Sequence, residues 1–501
     1  MTTTFRPSIR VAPGDVRDVL ARHLLVDGYH LVQDIERSHG VWLHDAVRGR
    51  DMLDFFGHFS TNPVGFNHPK MTTPEFRERI LPAALNKPAN SDVYTTFMAE
   101  FVETFARVLP ESLRRHLFFV EGGALAVENT LKAAFDWKIR KNLAAGRGEI
   151  GTRVIHFRQA FHGRSGYTLS ITNTADPRKT QYFPKFDWPR VINPKLRFPV
   201  TPEVVAEVEA IERQAVAEIE HALASHPHEI AALIIEPIQG EGGDNHFRAE
   251  FLKRLRALAD EHDFLLVFDE VQTGFGTTGK WWAFEHFGVE PDLLAFAKKT
   301  QVCGIAAGPR LDQVESVFKV SSRINSTWGG NLVDMVRCQR IVEIIEEEGL
   351  LASCAEVGAH LLAGLRALES IFPGKVTNAR GRGLFVAFDL PDGETRGRAL
   401  RALNEADVLG LASGERAIRM RPPLVLSKAE ADEGLRRIER ALASLIGPRI
   451  SPARARRPAA SAAGRRTRNR PGRAGRRAAP VARASRRRRA RSGPGERPPA
   501  S

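Results

Sequence analysis

Two short stretches end in groups that could do chemistry together. Phe264-Leu265-Leu266-Val267-Phe268 is an unbroken apolar run that stops at Asp269-Glu270, and a second run, 293–297, stops at Lys298-Lys299. Short apolar runs bounded by turn signals read as strands buried on both faces of a parallel sheet. Ligands of such sheets collect beyond the carboxyl ends of the strands. Two strands therefore deliver an acid and an amine to one crevice. An acid facing a ring nitrogen and an amine able to form an imine with an aldehyde are what pyridoxal phosphate requires. The acid keeps the pyridine protonated, and the amine moves protons once it is displaced. A strand-end Asp and a surface Lys would leave the same pattern, so the pair alone leaves both readings open.

Other elements must complete such a site. In HLFFVEGGALAVENTLKAAFDWKIR, from His116, an apolar strand meets Gly122-Gly123-Ala124 and a long helix follows. A helix N-terminus behind a glycine turn points free N–H groups and the positive dipole end at an anion. A plain strand-helix connection would look alike. A further strand, 154–157, leads to Phe161-His162-Gly163-Arg164. The planar guanidinium fork suits a carboxylate, though a loop Arg is commonly just solvated. An amphipathic helix is expected over 202–226, then a buried strand at 232–235 and the loop Gly240-Glu241-Gly242-Gly243, where a glycine-flanked acid can approach a ligand.

The first 20 residues carry little signal; residues 23–60 alternate apolar and polar positions between Gly turns and read as an antiparallel meander. It leads to the loop 55–68, in which Phe56, Phe59 and Asn62 could line a channel, with core packing as the alternative for the two aromatics. Residues 86–95 are a loop. Helices are expected at 332–348, 355–372 and 427–446, a strand at 381–390, and a last strand-like piece at 414–424 that runs into Arg421-Pro422-Pro423.

Composition bounds the rest. A chain of 501 residues holds a large core and more than one domain. No apolar run approaches the roughly 20 residues of a membrane helix, and the N-terminus has no apolar signal core, so a cytoplasmic protein without membrane contact is expected. Cys303, Cys338 and Cys354 have no metal spacing, and Cys303 reads as a packing residue. The net charge of +14 is misplaced on the body. Residues 449–501 hold 18 Arg and one Glu, a net of +17, which leaves −3 for the other 448. That arginine-rich stretch lacks apolar residues for a core and reads as disordered. It is a solvated tail, a read-through product, or a nonspecific nucleic-acid binder; no aromatic residue interleaves the arginines to stack on bases.

Asp269-Glu270-Val271-Gln272-Thr273-Gly274, with Ala297-Lys298 placing the lysine 29 residues after Asp269, resembles the class III aminotransferase signature. The resemblance covers about residues 20–446. It implies a fold-type I α/β architecture: a large domain with a mostly parallel central sheet plus a small α/β domain. The implied division is 1–65 as an N-terminal segment joining the small domain, 66–344 as the large domain, 345–447 as the small domain and 448–501 as the tail. It implies Lys298, preceded by a small residue, as the imine lysine and Asp269 at the ring nitrogen. Gly123 and Ala124 would hold the phosphate, Phe161 would stack on the ring and Gln272 would contact the cofactor. Thr327 would reach across a homodimer to the partner subunit's phosphate. Arg164 would grip a substrate carboxylate, Arg421 the α-carboxylate of the oxo acid, Glu241 would pair with Arg421 as a gate, and Asn325 would contact substrate.

Within the class, NKPANSDVY, VEGGALAVEN, FHGRSGYTLS, FPKFDWPR, EPIQGEGGDNHF, KKTQVCG and NSTWGGN resemble the members that pass the ε-amino group of L-lysine to 2-oxoglutarate. The resemblance thus implies L-lysine and 2-oxoglutarate as partners. Ornithine or 4-aminobutyrate as donor stays open, because one methylene shifts binding by only about 1–3 kcal/mol, as does a nucleic-acid binder built on a defunct enzyme fold.

Overall fold

The structure, a computed structural model, describes residues 7–447. The arginine-rich stretch, and the nucleic-acid contact considered for it, lie outside these residues.

The apolar runs meet in one seven-stranded sheet. Its order is His116–Val120, Cys303–Ala307, Leu293–Phe296, Leu265–Asp269, Ile230–Ile235, Arg153–Phe157 and Arg190–Val191. Cys303–Ala307 runs antiparallel to both neighbours, and the remaining pairs are parallel. Side chains alternate across the sheet. Leu265, Val267, Leu293 and Ala295 pack with Val127, Leu131 and Ala134 of the helix Gly123–Ala144. Leu266, Phe268, Leu294 and Phe296 enter the other core, with Phe105 and Leu255. Both faces are dry, which is why these strands read as continuous apolar runs. Each fully buried large side chain contributes about 1.5–3 kcal/mol.

The expected meander exists as Gln33–His39, Trp42–Asp45 and Arg50–Asp54, paired antiparallel. A fourth strand from far along the chain, Val408–Leu409, joins it parallel to Arg50–Asp54. A second small sheet holds Thr377–Arg382, Phe385–Asp389, Ala417–Met420 and Leu411–Ser413 in that order.

Some expectations shift. The single strand at 381–390 is a hairpin, because Gly383 turns the chain at φ +55° and a Cβ there would press on Thr278. The strand Cys303–Ala307 (CGIAA) has too little β-branched character to stand out in sequence. The helix Leu350–Ile371 begins five residues earlier than expected, after Gly349 in the left-handed region. By length and composition it is apolar enough to cross a membrane, yet it packs on Thr377–Arg382 and on the closing helix Lys428–Ile446. That last helix opens on a capping box, Ser427 with Glu430.

Candidate active site

At the carboxyl ends of the central strands lies a cavity of about 530 Å³ lined by Gly123, Ala124, Phe161, Arg164, Asp269, Gln272 and Lys298, among others. Register brings the acid and the amine there. Asp269 pairs with Ala295 on the next strand, and that strand ends two residues before Lys298.

Asp269 is buried and fixed on both oxygens: Oδ2 lies 2.7 Å from His162 Nδ1, and Oδ1 accepts the Val271 N–H at 3.0 Å. His162 is a positioning residue that sequence reasoning passed over, although it stands directly after Phe161. Its backbone N–H donates to Thr172 Oγ1 at 2.9 Å. Glu236, also passed over, accepts the N–H of Phe161 at 2.9 Å and that of Gly240 at 2.8 Å. Burial pushes its pKa up to about 7, against the opposing field of His162.

Lys298 sits at φ +60°, a left-handed conformation that a non-glycine residue adopts at a cost of roughly 1–2 kcal/mol. Gln301 holds this turn. Its Nε2 donates to the carbonyls of Lys298 at 3.2 Å and of Thr61 at 2.9 Å. Enclosure, and secondarily the positive field of Arg419, bring the Lys298 amine down to about 8. Lys299 points elsewhere: it is buried and donates to Ser60 Oγ at 2.6 Å. The cavity thus takes the first lysine of the pair.

The helix Gly123–Ala144 opens into the cavity without a side-chain cap, and Gly122 before it has φ +94°. Free N–H groups at its first turn are an anion site. A Cβ on Gly123 would meet Ala297 and Val271 at 3.2 Å, so a side chain there would press on both. Glu128, one turn along, accepts Ser165 Oγ–H at 3.0 Å and the Thr168 N–H at 3.1 Å, which ties the loop bearing Arg164 to the helix. Arg164 is exposed at the cavity and has no ion-pair partner among the described residues. An uncapped helix end, a doubly anchored acid and an unbonded, enclosed amine fit the phosphate, ring nitrogen and aldehyde of pyridoxal phosphate. Among the described residues no cluster of three metal-ligating side chains occurs.

The remaining expectations divide. Phe161 and Gln272 line the cavity. Cys303 does too, and burial raises its thiol pKa, so it is wall rather than nucleophile. Of the loop 55–68, Thr61 lines it, while Phe56 and Phe59 pack edge to face at 4.7 Å and Asn62 faces an adjoining hollow. Asn325 and Thr327 are exposed on a loop outside this cavity.

Arg421 is a correction. It is fully buried, pairs with buried Asp244 at 2.8 Å and lies 3.2 Å from the centroid of Phe385. With its charge already answered, it is not a substrate residue. The Glu241 pairing is corrected with it: Glu241 Oε1 accepts Lys179 Nζ at 2.6 Å and Thr174 Oγ1 at 2.8 Å. The available arginine is Arg419, two residues earlier on the same side of an extended segment. It is buried, donates to Gln272 Oε1 at 3.1 Å, leaves Nε unpartnered and has no carboxylate partner among the described residues. Burial first, and then the nearby Arg421, lower its pKa to about 10.

Comparison with known proteins agrees with this geometry. Residues 26–442 match the family described as aminotransferase class-III. An L-lysine-epsilon aminotransferase of Amycolatopsis lactamdurans is 53% identical over 445 residues, 87% of this chain and 98% of the relative. One from Mycobacterium bovis is 52% identical over 433 residues, 86% of this chain and 96% of the relative. A solved lysine aminotransferase from M. tuberculosis superposes with a TM-score of 0.85 at 51% identity, covering 87% of this chain and all of that one. The expected fold-type I architecture is the one observed.

Proposed function

We propose an activity for a chain that belongs to the class III aminotransferases: it is an L-lysine 6-transaminase that uses pyridoxal phosphate and passes the ε-amino group of L-lysine to 2-oxoglutarate. The observation that carries the substrate is the 53% identity to a lysine-epsilon aminotransferase across 98% of its length.

The chain's own residues account for the steps. Bound in the cavity, pyridoxal phosphate supplies an aldehyde for amines and a ring that accepts electrons as a carbon loses its proton. Gly123 and Ala124 would hold its phosphate by backbone N–H groups, Phe161 would face the ring, and Asp269, kept in place by His162, would bond the ring nitrogen. Arg164 grips the α-carboxylate of L-lysine, which presents the far amine rather than the α-amine. Lys298, once free, takes the proton from Cε as general base. The product is 2-aminoadipate 6-semialdehyde, which cyclises to 1-piperideine-6-carboxylate. In the second half 2-oxoglutarate binds by its distal carboxylate at Arg164 and by its α-carboxylate at Arg419, and L-glutamate leaves.

A homodimer with shared sites belongs to the same proposal. Trp328, 43% exposed beside Thr327, and Tyr94, 78% exposed, support it as a surface suited to a second copy. We propose a cytoplasmic enzyme.

The test is a half-reaction without oxo acid. L-lysine, L-ornithine and 4-aminobutyrate are offered separately to the cofactor-loaded protein, with the visible absorbance followed and products identified by NMR. Bleaching by L-lysine with formation of the cyclic imine is expected. Preference for either other donor overturns the substrate, and absence of any visible band on adding pyridoxal phosphate overturns the activity.

A further inference from the structure

The Glu241 carboxylate is where a gate would be when open, and something holds it there. It sits on the loop that follows the strand Ile230–Ile235 and belongs to the field around Arg419, yet it forms no ion pair with that arginine. Its Oε1 instead accepts from two donors of another segment, Thr174 and Lys179.

That segment is arranged for this contact. Asp176 caps the short helix Pro177–Lys179 by accepting the Arg178 N–H at 3.1 Å, and it pairs with the Arg178 side chain at 2.9 Å. Arg178 is thereby neutralised locally. Lys179, the next cation, has Glu241 as its carboxylate partner at 2.6 Å, and no other among the described residues. Thr174 also accepts the Asp176 N–H at 3.4 Å, which links the hydroxyl to the same turn. Ser413 steadies the other side by donating to the Gly240 carbonyl at 2.7 Å, and the Gly414 N–H holds the Glu241 carbonyl at 2.7 Å. The backbone of Glu241 is thus fixed, and its side chain lies in the field of three cations: Lys179, with which it pairs, and Arg396 and Arg419, with which it does not; of these two, Arg419 is the fully buried one that reaches the cavity-lining Gln272.

We propose that Thr174 and Lys179 form a seat for the Glu241 carboxylate that keeps Arg419 free for a second carboxylate, and so set the balance between a dicarboxylate oxo acid and a cationic amine donor. This rests on the function proposed above. With the seat occupied, Arg419 is an unpaired buried cation beside the cavity and takes a dicarboxylate. With the seat removed, Glu241 turns to Arg419, and a dicarboxylate must first displace it. Its apparent affinity then falls in proportion to the fraction of molecules that remain open. The seat is one half-exposed ion pair plus one hydroxyl bond, so its loss weakens dicarboxylate binding by roughly five- to tenfold.

The test uses the cofactor-loaded enzyme and glutarate, a dicarboxylate that cannot react. Its dissociation constant is measured by calorimetry for wild type, Lys179→Met, Thr174→Val and Lys179→Arg, and again for Lys179→Met in a Glu241→Ala background. Single-turnover constants for L-lysine and for 2-oxoglutarate are taken alongside. The expected result is weaker glutarate and 2-oxoglutarate binding in Lys179→Met and Thr174→Val, recovery in Lys179→Arg, and no effect of Lys179→Met once Glu241 is gone. An unchanged glutarate constant overturns the seat. So does an equal loss for lysine and oxo acid, or a loss that persists without Glu241, since either marks a structural role. If wild type turns over neither substrate, the function proposed above fails; if wild type does and the variants match it, only the seat fails.

Discussion

Lys298 differs from an ordinary surface lysine by its pKa. An amine near 8 rather than 10.5 is about a quarter unprotonated at pH 7.5, against roughly a thousandth for an unshifted lysine. Capture of pyridoxal phosphate by the cofactor-free protein, trapped by borohydride and read by mass, should therefore rise with pH and level off just above pH 8. The two arginines should part company. Arg421→Met strands the buried Asp244 carboxylate and is expected to cost about 3–5 kcal/mol, visible in a denaturant melt. Arg419→Met breaks no ion pair among the described residues; it should keep most of the melting temperature and weaken 2-oxoglutarate and glutarate binding. Sequence could not separate them. Positions two apart on an extended segment face one side, and the choice was made by Asp244, which lies 177 residues away along the chain. Asp269 and the lysine pair were legible because the strand runs end abruptly there; His162 and Glu236 were not, because His162 meets Asp269 and Glu236 meets Phe161 only once the sheet is assembled.

Among the elements, strands with two buried faces announced themselves and the glycine turn before the long helix did so too. The antiparallel Cys303–Ala307 did not, since a Gly-Ala-rich strand shows only through its partners. Glycines give the sharper tests at this scale. Gly163 has φ +127°, and a Cβ would lie 2.7 Å from that of Ala124. Gly163→Ala should push the helix N-terminus aside, weakening cofactor retention on dialysis. Gly57, at φ +56°, abuts the Arg421 carbonyl oxygen, and its alanine variant should lose roughly 1–3 kcal/mol in thermal melts.

For the whole molecule, the charge sum misled: +14 describes a near-neutral body joined to an arginine-rich stretch. The family match stops at residue 442 and the closing helix at Ile446. A chain ended after Gly447 should keep the melting temperature and the lysine half-reaction of the full chain. Sedimentation should place it as a dimer, and loss of activity on dilution should track dissociation.

The Gln301 bridge from the Lys298 turn to the Thr61 carbonyl spans 240 residues of chain. It makes the reactive conformation a product of folding order. During synthesis the loop at Thr61 emerges early and has nothing to hold until the strand Leu293–Phe296 is made and docked. Contacts of such sequence separation form late. On refolding, helical circular dichroism should therefore recover before the protein regains its visible cofactor band, and the interval between them would time the closing of the sheet.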